Sequence, residues 1–550
     1  MPRRPSAPPP DVWTVFGRWR RPTRAGRALG VALLLLSLLL TVRWAIDPAR
    51  APVDPAPGSA TASAGLATAP PTAPPATCAP GAPAAARPLT LPLDPTVGGA
   101  DPWGVWIGEV VCLTHPLTVA EVYELLTRRR VLAAVERPWA TTPADELLRG
   151  ALLVRPAPGA ERARLLPADP AATVAAGASG AGAWGLGSGE LRNGDALEGL
   201  HGRLRLEGGA VVLEAPALTV RRLNPRPPAP PELGATAVAA PGVRGPTPRP
   251  ADEPAGSNGS TVRIAGVNLL NWFVTLGDRG AATPAARERQ AAKLVAALLA
   301  LDADALALAE VENDDGRALD DLLRRLDEAQ RAAGRDPAAA YRAARAPPGA
   351  TGRDAIRVAI AYRPAVLTLL RTDADRAPVH DRPPLAAAFA HPDGSPAFTL
   401  VSVHHKAKSG CPATGDVDRG SGCWDLRRDA QSQALLDFAA RLALDPDDPP
   451  VLIVGDLNAY RHEAPVGRFA DAGWRVLVDG MPPERAYSYV HFGRAGALDH
   501  AVASPALAPR VVGAAFWPIN ADEPPHADGD RPTPYRSSDH DPLLLALRWD

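Results

Sequence analysis

The stretch VLIVGDLNA (451–459) decides the fold. Four apolar residues read as a strand, and the run then gives way to Gly455, Asp456 and Asn458. Residues two apart on an extended chain point to the same side, so this carboxylate and this amide leave the strand together. Further strand-like runs lie on both sides of it. They are TVRIAGVNLL (261–270), DALALAEVEND (304–314), IRVAIAYRP (356–364) and AFTLVSVHH (397–405). Between them, ARERQAAKLVAALLAL (286–301) and LRRDAQSQALLDFAARLA (426–443) have helical apolar spacing. The alternation predicts a layered α/β domain over residues 261–550.

The strand ends carry the chemistry. Glu310 and Glu312 follow ALALA, and His404 and His405 end VSVHH and run into Lys406 and Lys408. Asp499 and His500 follow a Gly-rich turn, and Asp539, His540 and Asp541 sit in RSSDHDP. Carboxylates, amides and histidines without thiolates favour a hard cation such as Mg²⁺ or Mn²⁺ over zinc. Each residue alone also has a plain structural reading. A strand-terminal Asp is usually a turn or cap residue, a lone His is more often a core or surface group, and Glu312 and Asn313 would cap the following helix. The ordered combination is what points to a site. Lysine occurs only at positions 293, 406 and 408, and two of these follow the histidines, which suggests a phosphate-facing role.

The chain has 550 residues, too long for one ordinary domain. A formal net charge of -1 excludes a uniformly basic DNA packager but leaves room for a local basic groove. Cys78, Cys112, Cys411 and Cys423 are too few for a disulfide scaffold, and the absence of a C-x-x-C pair argues against a zinc knuckle. The dominance of arginine over lysine suits a high-GC bacterial genome.

Residues 1–27 form a basic segment that includes Arg18, Arg20, Arg21, Arg24 and Arg27. The apolar run ALGVALLLLSLLLTV (28–42) follows and, extended to 46, reads as a transmembrane anchor. The arginine cluster places the N-terminus inside and the rest outside. The alternative is a signal peptide cleaved near Ala49-Arg50-Ala51, which would release a secreted protein. Residues 47–90 read as a Pro/Ala-rich spacer and 226–260 as a second linker. Between them, 91–225 reads as a small β-barrel-like domain, with a hairpin in GRLRLEGGAVVLE (202–214) turning at Gly208-Gly209. On the exported side, Cys411 and Cys423 are expected to bridge their intervening loop, the alternative being two free thiols. Spacing leaves a Cys78–Cys112 bridge open.

The series VNLLNWF, LALAEVEND, VSVHHKAKSGC, GDLNAY, GALDHAVAS and SSDHDP resembles the endonuclease/exonuclease/phosphatase superfamily, and in it the bacterial extracellular nuclease branch. INADEP (519–524) and YRSSDHDP (535–542) are characteristic of that branch. PLTVAEVYEL (116–125) and LNPRPPAPPELG (223–234) resemble the oligonucleotide-binding-fold-like segment that precedes its nuclease domain. The resemblance implies a pancreatic deoxyribonuclease-like, two-layered β-sandwich flanked by helices.

It also implies Glu310, Asn268 and Asp539 at the metal, and Asp456 and Asn458 orienting the nucleophile. His540 corresponds to the base, Asp499 to the acid that pairs with it, and His404 to a second active-site histidine, with His405 as the choice if a one-residue gap is allowed. Tyr362, Arg382, Lys406, Lys408 and His405 are the candidates near the substrate phosphate. Mg²⁺ or Mn²⁺, with Ca²⁺ as a further ion, would be the cofactor. DNA would be the substrate, with RNA as a second one, the N-terminal segment would contact a bacterial membrane, and no obligate protein partner is evident. Competing readings are a phosphatase or phospholipid phosphodiesterase on the same fold, and a non-catalytic nucleic-acid-binding or adhesion protein. Two departures stand out: Ala387 and Ala388 replace a polar pair in RPPLAAAF (382–389), and Asp425 stands in a CWN-like segment.

Overall fold

The computed structural model describes residues 77–78, 81–94, 101–142, 144–160, 162–167, 184, 186, 190–233, 261–277, 279–445, 447–525 and 527–549. In the C-terminal half, two six-stranded sheets pack face to face. One runs in the order Arg342–Ala344, Ile356–Tyr362, Ala305–Glu312, Thr261–Trp272, Leu543–Arg548 and Val511–Phe516. The other runs Thr368–Ala374, Leu385–Ala390, Pro396–His404, Val451–Asp456, Asp499–Ala503 and Arg475–Val476.

The strand Val451–Asp456 shows why its sequence is apolar on both sides. Leu452 and Val454 enter the core between the sheets, while Val451 and Ile453 face the helical layer. Such two-faced burial produces a continuous apolar run rather than an alternating one. Helices Asp425–Leu442 and Ala464–Asp471 cover this outer face. Helices Pro284–Leu301 and Arg317–Ala332 cover the other sheet. Thr283 caps the first of these, accepting the Ala286 N–H at 3.2 Å, with proline at the first helical position. The result is the expected helix-flanked β-sandwich. Its sheets approach closely at Gly266, where a Cβ would lie 2.6 Å from Val454 Cγ1. Each large side chain fully buried between them, such as Phe389 or Phe398, contributes about 1.5–3 kcal/mol.

The preceding region forms a ten-stranded sheet around a separate core that includes Trp103, Leu117 and Leu213. His201–Glu207 and Ala210–Ala215 make the expected hairpin, with Glu207 opposite Ala210. The strand order begins at Arg87–Leu89 and ends at Arg164–Pro167, so hydrogen bonds among the described residues do not close it into a barrel. Arg87–Leu89 falls inside the segment read as spacer, yet it pairs with Val110–Leu113. Arg226, read as the start of a linker, is ion-paired to Glu523 and Asp528. Both cysteine pairs, Cys78–Cys112 and Cys411–Cys423, are disulfides, with Cα–Cα separations of 5.5 and 4.9 Å. A bridge typically contributes about 2–4 kcal/mol by restricting the unfolded chain. Among the described residues no helix is long and apolar enough to cross a membrane. The apolar run 28–46 lies outside them.

Candidate active site

The six motifs meet at one end of the sandwich. Strands Pro396–His404 and Val451–Asp456 run parallel and end together, placing His404 beside Asp456. Asp499 begins the neighbouring antiparallel strand opposite Asp456. On the facing sheet, Thr261–Trp272 and Ala305–Glu312 also run parallel, with Asn268 opposite Ala309. His540 reaches the same end on the segment that leads into Leu543–Arg548.

Glu310 owes its direction to a break in the ladder. The register shifts between Leu308 and Val311 on one side and between Asn268 and Trp272 on the other. Glu310 takes a left-handed φ of 63°, a costly conformation for a residue with a Cβ. Two hydrogen bonds hold it there: Asn268 Nδ2 donates to Oε1 at 3.0 Å and the Asn271 N–H to Oε2 at 2.8 Å. Asp456 accepts the Asn458 N–H at 2.7 Å, and its other oxygen lies 3.5 Å from both Asn268 Nδ2 and His404 Nε2. Asp499 Oδ2 lies 2.7 Å from His540 Nδ1, leaving Nε2 of that ring to face the site.

Negative charge is concentrated here with little to offset it. Burial first, then the neighbouring Asp499 and Glu310, push Asp456 up to about 7, although His540 beside it pulls the other way. Burial and then Asp539 raise Glu310. Burial alone would lower His540, but Asp499, Asp456 and Asp539 outweigh it and hold the ring well above its ordinary value. Burial, with Arg382 and His540 adding to it, holds His404 well below its ordinary value, so it is neutral. Its buried Nδ1 has no hydrogen-bond partner. Crowded oxygen donors fit a divalent cation, and Glu310 with Asp539, which lies close enough to raise it, is the pair that would hold it. Asp456, Asp499 and His540 also offer ligand atoms within 4.8 Å of one another. The 2.7 Å contact between Asp499 and His540, however, is an acid–base hydrogen bond that metal binding would break.

Several expectations are redistributed. Asn268 lies in the site, where its side-chain oxygen accepts the Leu270 N–H at 2.9 Å and its amide NH₂ faces Glu310, so it aligns the carboxylates. His405 points into the helical layer, with Nε2 3.2 Å from Ser432 Oγ, because neighbouring strand residues alternate sides. Tyr362 pairs with Ala305 at the opposite end of the sheet and packs on Phe389 with ring centres 5.2 Å apart, so it belongs to the core. The Lys408 ammonium is taken up by Glu463 and the Ser421 carbonyl. Arg382 is buried and donates to the His404 and His405 carbonyls, shaping the strand end rather than facing a ligand. Asn458 Nδ2 likewise donates to the His405 carbonyl at 3.2 Å. Lys406 lies on the rim, 5.4 Å from the centre of the Trp424 ring.

Glu312 accepts the Val274 and Thr275 N–H groups, and Asn313 donates to carbonyls of the loop 351–354. The helix cap they were expected to provide comes from Asp314, which accepts the Gly316 and Ala318 N–H groups. Two site neighbours carried no signal in the motifs. Arg279 bonds Asn271 and Asp354 at the mouth, and the Tyr489 ring lies 4.7 Å from that of His540.

Asp541, next to the base, accepts the Asn520 and Ala521 N–H groups, and burial and Asp522 push it up to about 8. A carboxyl raised on folding adds stability that is lost as pH rises from its ordinary 3.8 through about 8. The stability of Asp541→Asn relative to wild type, followed by thermal melts in EDTA, should therefore climb across that range and level off above it. A difference that stays flat with pH would contradict the assignment.

A helix-flanked sandwich with carboxylates and histidines gathered at its strand ends is the architecture of a phosphoester hydrolase. Residues 268–540 match the Endonuclease/Exonuclease/phosphatase family, and this half of the chain belongs to it. Enzymes of the family are phosphoester hydrolases that depend on a divalent metal. Similar solved structures include the human Nocturnin catalytic domain with bound sulfate anion, at 19% identity over 52% of this chain and 93% of that one, TM-score 0.34. An endonuclease/exonuclease/phosphatase from Bacteroides vulgatus shows 13% identity over 53% and 100%, TM-score 0.35. D. rerio TDP2 complexed with single strand DNA product shows 16% identity over 52% and 98%, TM-score 0.34. No curated protein matches the chain.

Proposed function

We propose that this protein is a nuclease, using Mg²⁺ or Mn²⁺ to hydrolyse phosphodiester bonds of DNA, and of RNA as a second substrate, outside the cytoplasm. The observation that carries this reading is the 2.7 Å Asp499–His540 pair set beside Glu310 and Asp456. Asp499 fixes the imidazole so that Nε2 takes the proton from an attacking water. Asp456, held by the Asn458 N–H, orients that water. Neutral His404 keeps Nε2 3.5 Å from Asp456 Oδ2, beside that water. Held by Glu310 and Asp539, a divalent cation would offset the charge of the phosphate and of Asp539, one of the carboxylates that raise His540. A positioned base contributes about 10²–10⁴-fold and correct placement much of the rest.

The polymeric substrate is supported by the rim. Arg279 bonds Asn271, whose N–H holds Glu310, and Lys406 and Arg427 lie 5.4 and 6.0 Å from the centre of the Trp424 ring, a mixture of cations and aromatic faces suited to phosphates and bases. Export is supported by the arginine-flanked apolar run in 28–42 and by the two disulfides.

Supercoiled plasmid should be nicked with Mg²⁺ or Mn²⁺ and left intact in EDTA. Release of inorganic phosphate from a monoester, without nicking, would replace this reading with a phosphatase.

A further inference from the structure

The N-terminal β region meets the catalytic half at a joint whose hydrogen bonds lead to both members of the Asp499–His540 pair. At its centre is Asp522, which is fully buried. Arg137 Nη2 lies 2.5 Å from its Oδ1, and Asn224 Nδ2 and the Tyr487 hydroxyl each lie 2.7 Å from its Oδ2. Arg192, also fully buried, lies 2.8 Å from Glu523 and donates to the Pro518 carbonyl at 2.6 Å. Asn193 donates to the Ala521 carbonyl at 3.2 Å. Residues 518–523 are thus gripped from the N-terminal region.

The same segment holds the catalytic pair. Asn520 Nδ2 donates to the His540 carbonyl at 2.6 Å, and its oxygen accepts the Ser537 and Ser538 N–H groups. Asp541 accepts the Asn520 N–H at 2.7 Å and donates its own N–H to the Ser488 carbonyl at 2.8 Å. Ser488 Oγ in turn accepts the Leu498 and Asp499 N–H groups at 3.1 and 3.2 Å. A second grip reaches the other flank. The hairpin Tyr489–Gly496 exchanges backbone hydrogen bonds with the 138–140 segment through Ala495. There is no room at Gly493 for a Cβ, which would lie 2.5 Å from Leu132 Cδ2. This hairpin carries Tyr489, the ring against His540.

We propose that Arg137 and Arg192 are positioning residues for His540 and Asp499, which makes the N-terminal β region part of the catalytic unit instead of a separate nucleic-acid-binding module. The assignment rests on His540 being the base. The chemistry of the joint supports it. Buried ion pairs add little net stability over apolar packing, because desolvation offsets their attraction. What such a network of directional bonds does supply is geometry, here at a segment bonded directly to the reacting residues.

The test uses the full chain on supercoiled plasmid with Mg²⁺. Arg137→Ala and Asn224→Ala should each lower kcat by about 10–100-fold, with KM changed by less than about twofold. In a His540→Ala background, Arg137→Ala should cost less than about twofold more, since no base remains to be positioned. Arg155→Ala, which breaks an ion pair to Glu207 and Glu214 elsewhere in the same region, should turn over like wild type. If Arg137→Ala does not fold, Asn224→Ala, which removes an uncharged partner of Asp522 together with its contacts to the Asn193 carbonyl and Arg192 in the same joint, carries the test alone. Wild-type kcat in the folded variants, a raised KM with unchanged kcat, or the same loss with and without His540 would each overturn the proposal. An inactive wild type would remove the nuclease reading and this assignment together, whereas an active wild type beside a fully active Arg137→Ala would remove this assignment alone.

Discussion

Replacing His540 with alanine should lower kcat on plasmid by about 10²–10⁴-fold with KM close to wild type, and should lower the melting temperature because Asp499 is left buried without its partner. The side chain is buried, but the polar contacts of its backbone, to Asn520 and Ser538, survive the change. What disappears is the imidazole, and with it the only function of the Asp499 hydrogen bond. Asp499→Ala should therefore lose less than His540→Ala, and the double variant should be no worse than His540→Ala alone, as is usual for groups that act as a unit. Additive losses would mean that Asp499 acts on the substrate or a cation directly and not through the ring. Equal turnover by His540→Ala and wild type would sink the mechanism.

Glu310→Ala should abolish stabilisation by Mg²⁺. A ligand at 100 times its Kd adds about 2.7 kcal/mol to the folded state, which a thermal shift detects without any turnover. The variant should show no such shift. In EDTA it should melt at or above wild type, for a separate reason. Burial and Asp539 raise the Glu310 carboxyl, so its contribution is favourable below the ordinary carboxylate value and is lost as pH rises through the raised one. Without a cation, an ionised Glu310 is a burden on the fold that alanine removes. A Mg²⁺ shift as large as that of wild type would place the ion elsewhere in the acidic cluster.

The sequence made the catalytic half legible because its strands are buried on both faces and end in polar pairs. The motif left His404 and His405 open, and alternation along VSVHH separates them only once the inward face is known. Motif position was a poorer guide where a side chain's direction depends on the opposite sheet. Tyr362 sits at the end of an otherwise well-read strand, but an antiparallel strand carries its last residue away from a site built on the ends of its neighbours. The two lysines part ways: Lys408 is taken by Glu463, 55 positions away, whereas the Lys406 ammonium lies over the Trp424 ring. The joint between the regions was marked only by two motifs, INADEP with Asp522 and LNPRPPAPPELG with Asn224, and nothing local says that they meet. Arg137 and Asp522 are 385 residues apart, and each reads in isolation as an ordinary surface charge.

The Cys78–Cys112 bridge has a mechanical consequence. The strand Arg87–Leu89 lies at the sheet edge and is held there by a short three-residue register with Val110–Leu113. Any tension arriving along the backbone from the N-terminal side meets Cys78 first and passes through a covalent link into that inner strand. The load bypasses the weak outer ladder, which would otherwise unzip one residue at a time.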